Sequence, residues 1–237
     1  MKVIISGATG LVATAVVQQS LAHPKISKVI ALSRRAVELP DNVNSSKLKQ
    51  VLIKDYNEYP EDILEELRGA HACIWTVAIT PSKSMTYPWE DVVKICQTST
   101  TTALHAMIGA GMAEPFRFLY VSGDRVDPDS PPKPGPMGRY IQLRGETENM
   151  VRQIAEQYHG KVQVCIARPG IVTSDATYTR AFWGSAVRTL NPVANVSRDE
   201  LAAAMVDQVV NGFDKKVLAN ADLKTRGREV LTQQDQG

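Results

Sequence analysis

Cysteine, aromatic residues, excess charge and long apolar runs are all scarce in this 237-residue chain. Each shortage removes a class of protein. Cys73, Cys96 and Cys165 are the only cysteines. Odd in number and widely spaced among apolar neighbours, they suit buried thiols better than a disulfide framework or a zinc site. His23, His71, His105 and His159 show no ligand spacing, so no metal is expected. The 27 Lys and Arg nearly balance the 25 Asp and Glu, which leaves no strong field for nucleic acid. No stretch approaches the roughly 18 to 20 consecutive apolar residues of a membrane helix. The opening Met1-Lys2-Val3-Ile4-Ile5-Ser6-Gly7 is too short for the apolar region of a secretory signal. The expectation is a cytoplasmic protein with neither membrane nor nucleic-acid partner, acting as monomer or homodimer. Its 43% hydrophobic content is ordinary for a globular chain, and its length suits a single domain that buries roughly 70% of its unfolded surface.

What is present is a repeating alternation. Short Val- and Ile-rich runs at Lys2 to Ser6, Lys28 to Leu32, Gln50 to Ile53, Ala72 to Val77, Arg117 to Ser122 and Val162 to Ala167 read as strands buried on both faces. Helical spacing fills Gly10 to Ala22, Glu61 to Arg68, Trp89 to Gly109, Gly138 to Tyr158 and Arg198 to Asn211. The pattern predicts a doubly wound parallel α/β sheet, a Rossmann fold, as one domain over residues 1–237. Ser197-Arg198-Asp199-Glu200 is a capping box, with Val196 and Leu201 placed as its hydrophobic staple. Val217-Leu218 suggests a last short strand, and the polar chain beyond Ala219 is expected to run over the surface or fray. Thr98 to Thr102 reads as a polar helix face. A segment from Thr173 to Val196, carrying Tyr178, Phe182 and Trp183, reads as a substrate lid; with Met85 and Trp89 it suggests an apolar or aromatic substrate, although these residues could equally just pack the lid.

The first strand ends in Gly7-Ala8-Thr9-Gly10-Leu11-Val12-Ala13, and helical spacing begins at once. A diphosphate needs close backbone approach and free N–H groups at a helix N-terminus, and a glycine turn at this junction supplies both. Gly7, Thr9, Gly10, Leu11 and Val12 are therefore candidate cofactor contacts, with Ala13 at the position that governs helix-to-strand packing. No Gly-Lys-Ser/Thr follows, which excludes a Walker loop. The second strand ends in Ser33-Arg34-Arg35 where an NAD site would carry a carboxylate for the ribose 2′-hydroxyl. Two cations and a hydroxyl fit a 2′-phosphate, so NADP (NADPH) is favoured over NAD. Asp55, past the third strand, either accepts from the adenine amino group or caps the next turn.

At the end of the fifth strand stands Ser122, and Tyr140 and Arg144 follow at i and i+4 on one helix face. A fixed guanidinium favours phenolate and would lower the Tyr140 pKa from its reference of about 10 towards the range that proton transfer requires. Ser122 can hold a substrate oxygen. The plainer alternatives are an aromatic packing at a helix start for Tyr140, a small residue ending a buried strand for Ser122, and a salt-bridged surface residue for Arg144.

Gly7 to Val12, Ser33 to Arg35, Ser122, Tyr140 to Glu146 and Arg168-Pro169-Gly170 together resemble the short-chain dehydrogenase/reductase superfamily, in its atypical NmrA-like and TIP30-like NAD(P)-binding branch. The resemblance covers about residues 1 to 172. It implies that Tyr140 moves the reacting proton, that Ser122 binds the substrate oxygen, and that the backbone of Pro169, Gly170 and Ile171 orients the nicotinamide. Arg144 stands where the family usually has the Lys that binds the nicotinamide ribose. Arg can supply the charge and the ribose hydrogen bonds, so the resemblance places Tyr140 and Arg144 beside the cofactor as well. The family's supporting Asn has no assignable counterpart. The expected function is an NADP-dependent reductase acting on a carbonyl or imine of a small molecule. The alternatives are a non-catalytic redox-sensing regulator, or an NADPH-assisted isomerase or cyclase of natural-product biosynthesis.

Overall fold

Runs of apolar, largely β-branched residues build a parallel sheet from β1 (Lys2–Ser6), β2 (Lys28–Ser33), β3 (Leu48–Leu52), β4 (Ala72–Trp75), β5 (Phe116–Val121), β6 (Val162–Arg168) and, at one edge, β9 (Val217–Ala219). The computed structural model describes residues 1–129, 131, 134–174 and 195–235. The strand order is β3-β2-β1-β4-β5-β6-β9, all neighbours parallel. Strand order reverses beside β1, where the two halves of a doubly wound sheet leave a crevice at the carboxyl ends. A second, two-stranded parallel sheet pairs β7 (Ile171–Thr173) with β8 (Asn195–Ser197). The expected lid lies almost wholly outside the described residues, and this small sheet brackets it.

Side chains alternate along the strands and so divide the core in two. Val3, Ile5, Ala72, Ile74 and Leu119 face the layer containing α1 (Leu11–Ala22) and α7 (Arg198–Asn211). Ile4, Cys73, Trp75, Phe116, Phe118 and Tyr120 face the other layer, with α2 (Glu61–Leu67), α5 (Ser99–Gly109) and α6 (Gly135–Glu156). Trp75 lies at the centre of that layer, stacked on Phe118 at 6.2 Å and edge-on to Tyr56 at 5.5 Å, its indole N–H donating to Thr100 Oγ1 at 2.9 Å.

Three sequence expectations need correction. The stretch read as one helix from Trp89 is α4 (Trp89–Val93), then a π-helical turn (Lys94–Thr98), then α5, and a short α3 (Pro81–Ser84) precedes it. The Thr98 to Thr102 run is a polar face only in part: Thr98 is exposed and Thr101 and Thr102 half-buried, whereas Ser99 and Thr100 are buried and Thr100 serves the Trp75 indole. The polar tail does not fray but forms α8 (Asn220–Asp235). It packs on α7 so closely that a Cβ on Gly227 would lie 2.0 Å from the Glu200 carbonyl oxygen. Arg226 pairs with Asp207 and Arg228 with Glu200, each at 2.6 Å. Helix α7 itself begins with the expected capping box, both reciprocal hydrogen bonds being made.

Candidate active site

Residues from separate strand ends converge on the crevice in two groups. At one end, Gly7 has φ +64° and a Cβ there would come within 2.9 Å of Thr76 Oγ1, so geometry and space both require glycine. Gly10 donates to the Gly7 carbonyl at 2.8 Å and leads into α1, whose first turn has no side-chain cap and no acidic residue. The N–H groups of that turn thus have no side-chain acceptor, and Thr9, Gly10 and Leu11 are exposed beside them. This cradle fits an anion such as a diphosphate. Val12 and Ala13 turn inward on the core.

Arg34 and Arg35 are exposed, and among the described residues neither meets a carboxylate. Ser33, grouped with them in sequence, is buried and donates to the Arg35 carbonyl at 2.5 Å, so its hydroxyl shapes the turn instead of facing a ligand. Two residues that the sequence did not reveal hold this region. Gln50 makes a reciprocal pair with Val37, accepting from its N–H at 2.8 Å and donating to its carbonyl at 3.3 Å. Tyr56 accepts from the Gly7 N–H at 3.2 Å and donates to the Leu32 carbonyl at 3.1 Å, tying the ends of β1 and β2 together. Burial pushes the Tyr56 phenol up to about 12. Asp55 takes the turn-capping role: Oδ1 accepts from the Asn57 backbone and side-chain amides, and Oδ2 pairs with Lys94 at 2.7 Å. The Lys94 hydrogen bond holds its carboxyl below the ordinary 3.8.

At the other end, Arg144 is no surface residue. It is 2% exposed, donates from Nη2 to the Val121 carbonyl and lies 4.8 Å over the Tyr120 ring, with no carboxylate partner among the described residues. Val121 is the last residue of β5, so this contact brings α6 to the strand end that carries Ser122. The Ser122 N–H donates to the Ala167 carbonyl at 2.7 Å, while its Oγ is buried without a partner. Tyr140 is buried on the same helix face and donates to the Ile79 carbonyl at 2.7 Å. Cys96 in the π-helical turn accepts from the Ile79 N–H at 3.3 Å and fixes that carbonyl's loop. The lowered tyrosine pKa expected from sequence does not appear: burial raises the Tyr140 phenol above 10.0, and the pull of Arg144 in the opposite direction is smaller.

The turn at Pro169, Gly170 and Ile171 is held from both sides. Arg168 makes two hydrogen bonds to Glu148, at 3.1 and 2.6 Å, and the Glu148 carboxylate is completely buried. The Gly170 N–H donates to Asn220 Oδ1 at 2.7 Å, and the Pro169 carbonyl accepts from the Asp124 N–H at 3.0 Å. Pro169 is buried and Ile171 exposed. Glu148 extends the 140, 144 spacing by one more turn, a signal available in the sequence. Asn220, Gln50 and Tyr56 act across long separations and gave none. Of the expected pocket residues, Met85 is exposed and Trp89 lies beneath the Arg139 guanidinium at 4.0 Å, whereas Tyr178, Phe182 and Trp183 fall outside the described residues. Among the described residues no group of side chains could hold a metal, and no helix is long and apolar enough to cross a membrane.

Comparison with known proteins bears on the family and the fold. A family model described as NAD(P)H-binding matches residues 7–211. Leucinostatins biosynthesis cluster protein T of Purpureocillium lilacinum is 31% identical over 124 residues, which is 52% of this chain; the match spans only 43% of that protein. The PhqB reductase domain of Penicillium fellutanum superposes with a TM-score of 0.67 at 14% identity, covering 93% of this chain and 67% of that one. A dTDP-glucose 4,6-dehydratase from Streptomyces venezuelae, solved with NAD bound, gives 0.66 at 19% identity over 98% of this chain and 81% of its own. At such identities the structural likeness is one of fold.

Proposed function

This chain belongs to the NAD(P)H-binding family, as a protein of the atypical short-chain dehydrogenase/reductase kind, and from that premise we propose that it is an NADP-dependent reductase of a carbonyl or imine in a small, apolar or aromatic molecule. When bound, the reduced nicotinamide supplies hydride. The amides of the Gly7 to Val12 turn bind the diphosphate, and Arg34 and Arg35 take the 2′-phosphate that NAD lacks. The backbone at Pro169, Gly170 and Ile171, braced by Glu148 and Asn220, orients the nicotinamide. Ser122 Oγ, which has no partner among the described residues, donates to the substrate's carbonyl oxygen or imine nitrogen, and Tyr140, on leaving the Ile79 carbonyl, protonates that atom. The observation that carries the reading is the Arg144 to Val121 contact, because it sets the tyrosine helix against the strand end bearing Ser122.

Likeness to a biosynthesis-cluster protein supports a role in secondary metabolism. The test is calorimetric titration with NADP⁺ and NAD⁺, followed by NADPH consumption over a panel of aromatic ketones, aldehydes and imines. NADP⁺ should bind more tightly, and Tyr140→Phe should lower turnover by about 10² to 10⁴. Undiminished turnover in that variant removes Tyr140 as the acid.

A second reading, a dinucleotide-sensing regulator, is favoured by one feature: the Tyr140 hydroxyl is committed to Ile79 and its proton is held more tightly than usual. NADP⁺ binding with no NADPH oxidation across the panel would select it.

A further inference from the structure

Eight buried side-chain N or O atoms among the described residues lack a hydrogen-bond partner, and three of them belong to Tyr120, Ser122 and Arg144. Tyr120 of β5 faces the layer that contains α6, and Ser122 directly follows the strand. Arg144 reaches from α6 over the Tyr120 ring and spends Nη2 on Val121, leaving Nη1 free. The groups facing the guanidinium are Tyr120, Tyr140 and Cys96, none of them a carboxylate. Unpaired buried donors are costly, and a buried cation without a counter-ion is costlier still. A cluster of this kind at a strand end that binds ligands calls for an acceptor.

We infer that Arg144 Nη1 and Tyr120 Oη form an anion subsite that takes a carboxylate carried by the substrate, while Ser122 Oγ keeps the reacting oxygen or imine nitrogen. The assignment rests on the proposed placing of substrate at the end of β5, and it narrows the substrate class to carboxylic acids. A ribose hydroxyl would satisfy a donor yet leave the charge unneutralised. A carboxylate has only acceptors, meets a planar guanidinium in two parallel hydrogen bonds and still accepts from a hydroxyl. Lysine would offer a compact point charge without that fork. Arg144 is covered in this conformation. Binding therefore requires local opening, and it is measured at equilibrium.

Benzoate and benzamide are matched aromatic probes that differ in charge. The full chain is titrated with each by calorimetry, both saturated with NADP⁺ and free, after dinucleotide binding has been measured in the same preparation. Benzoate should bind at least about tenfold more tightly than benzamide. Arg144→Gln should abolish the preference and Arg144→Lys should keep part of it. Tyr120→Phe should weaken benzoate by about threefold or more while leaving the urea midpoint unchanged or higher, because it deletes an unpartnered hydroxyl. A purely structural role would not separate affinity from stability in this way. Equal binding of the two probes, no binding of benzoate, or a benzoate preference that survives Arg144→Gln overturns the subsite. If Arg144→Gln does not fold, unchanged benzoate affinity in Tyr120→Phe overturns it. Absent dinucleotide binding strikes the reductase reading, whereas dinucleotide binding without benzoate discrimination strikes the subsite alone.

Discussion

Tyr56 shows how one side chain can fix the spacing of two strand ends that the proposed dinucleotide site uses. Its hydroxyl joins the Gly7 N–H to the Leu32 carbonyl, so the phosphate turn and the end of β2 keep a fixed separation. Tyr56→Phe preserves volume and leaves both backbone groups without that partner. The expected loss is about 1–3 kcal/mol in urea unfolding, accompanied by weaker dinucleotide binding. An unchanged midpoint would mean that another group satisfies Gly7. Glycine positions, by contrast, announce themselves in sequence. Gly7 and Gly10 are legible because only glycine meets the demand for positive φ or close approach, whereas a tyrosine that bridges two strand ends reads as one more core aromatic. Ser33 misled for a related reason. Its type suits a phosphate, but its burial turns the hydroxyl back onto the Arg35 carbonyl.

Among the elements, α8 is the instructive miss. Its composition is polar, and apolar periodicity therefore gave no helix. What holds it are Leu223 in the core, two arginine pairs to α7 and a glycine at the point of closest approach. Asp222 also accepts from the Ala219 N–H at 2.9 Å and so closes the first turn. Gly227→Ala would drive a methyl into the Glu200 carbonyl. Two helices must part to admit it, and about 3 kcal/mol, the upper end of overpacking costs, is expected in urea unfolding. A variant as stable as the parent would mean that α8 can slide on α7 without loss. The capping box of α7 was legible because its four residues are contiguous. The β7–β8 pair was not, since three-residue strands carry too little pattern.

For the molecule as a whole, a parallel sheet covered by helices was legible in the alternation of apolar strands and helices, whereas the strand order, from which the crevice follows, is not written in any local pattern. The molecule's dependence on pH comes from groups placed around that frame. Burial lowers the His23 and His71 pKa values below 6.5, so a shallow loss of stability begins as pH falls past that value. Glu200 resists ionisation through burial, but the Ser197 amide and Arg228 outweigh this and place it below 4.5; Lys215 holds Asp222 below 3.8. These depressed carboxyls stabilise the fold above their unfolded values, and that stability is lost as pH falls through the folded ones. Tyr56, raised by burial, behaves oppositely: its contribution is complete below 10 and disappears as pH climbs through about 12. Urea midpoints should therefore form a plateau between about pH 7 and 10 and fall on both sides. A midpoint that keeps rising down to pH 4 would contradict this assignment.

Glu148 has a consequence for how such a protein can change over time. One sealed carboxylate welds the tyrosine helix to the turn after β6, so that drift in either is inherited by the other. The proposed acid, Tyr140, and the turn proposed to orient the nicotinamide are thereby joined through one side chain. New substrates must then be acquired at places this weld does not reach, and selection can remodel the pocket's far wall while the reacting groups stay in register.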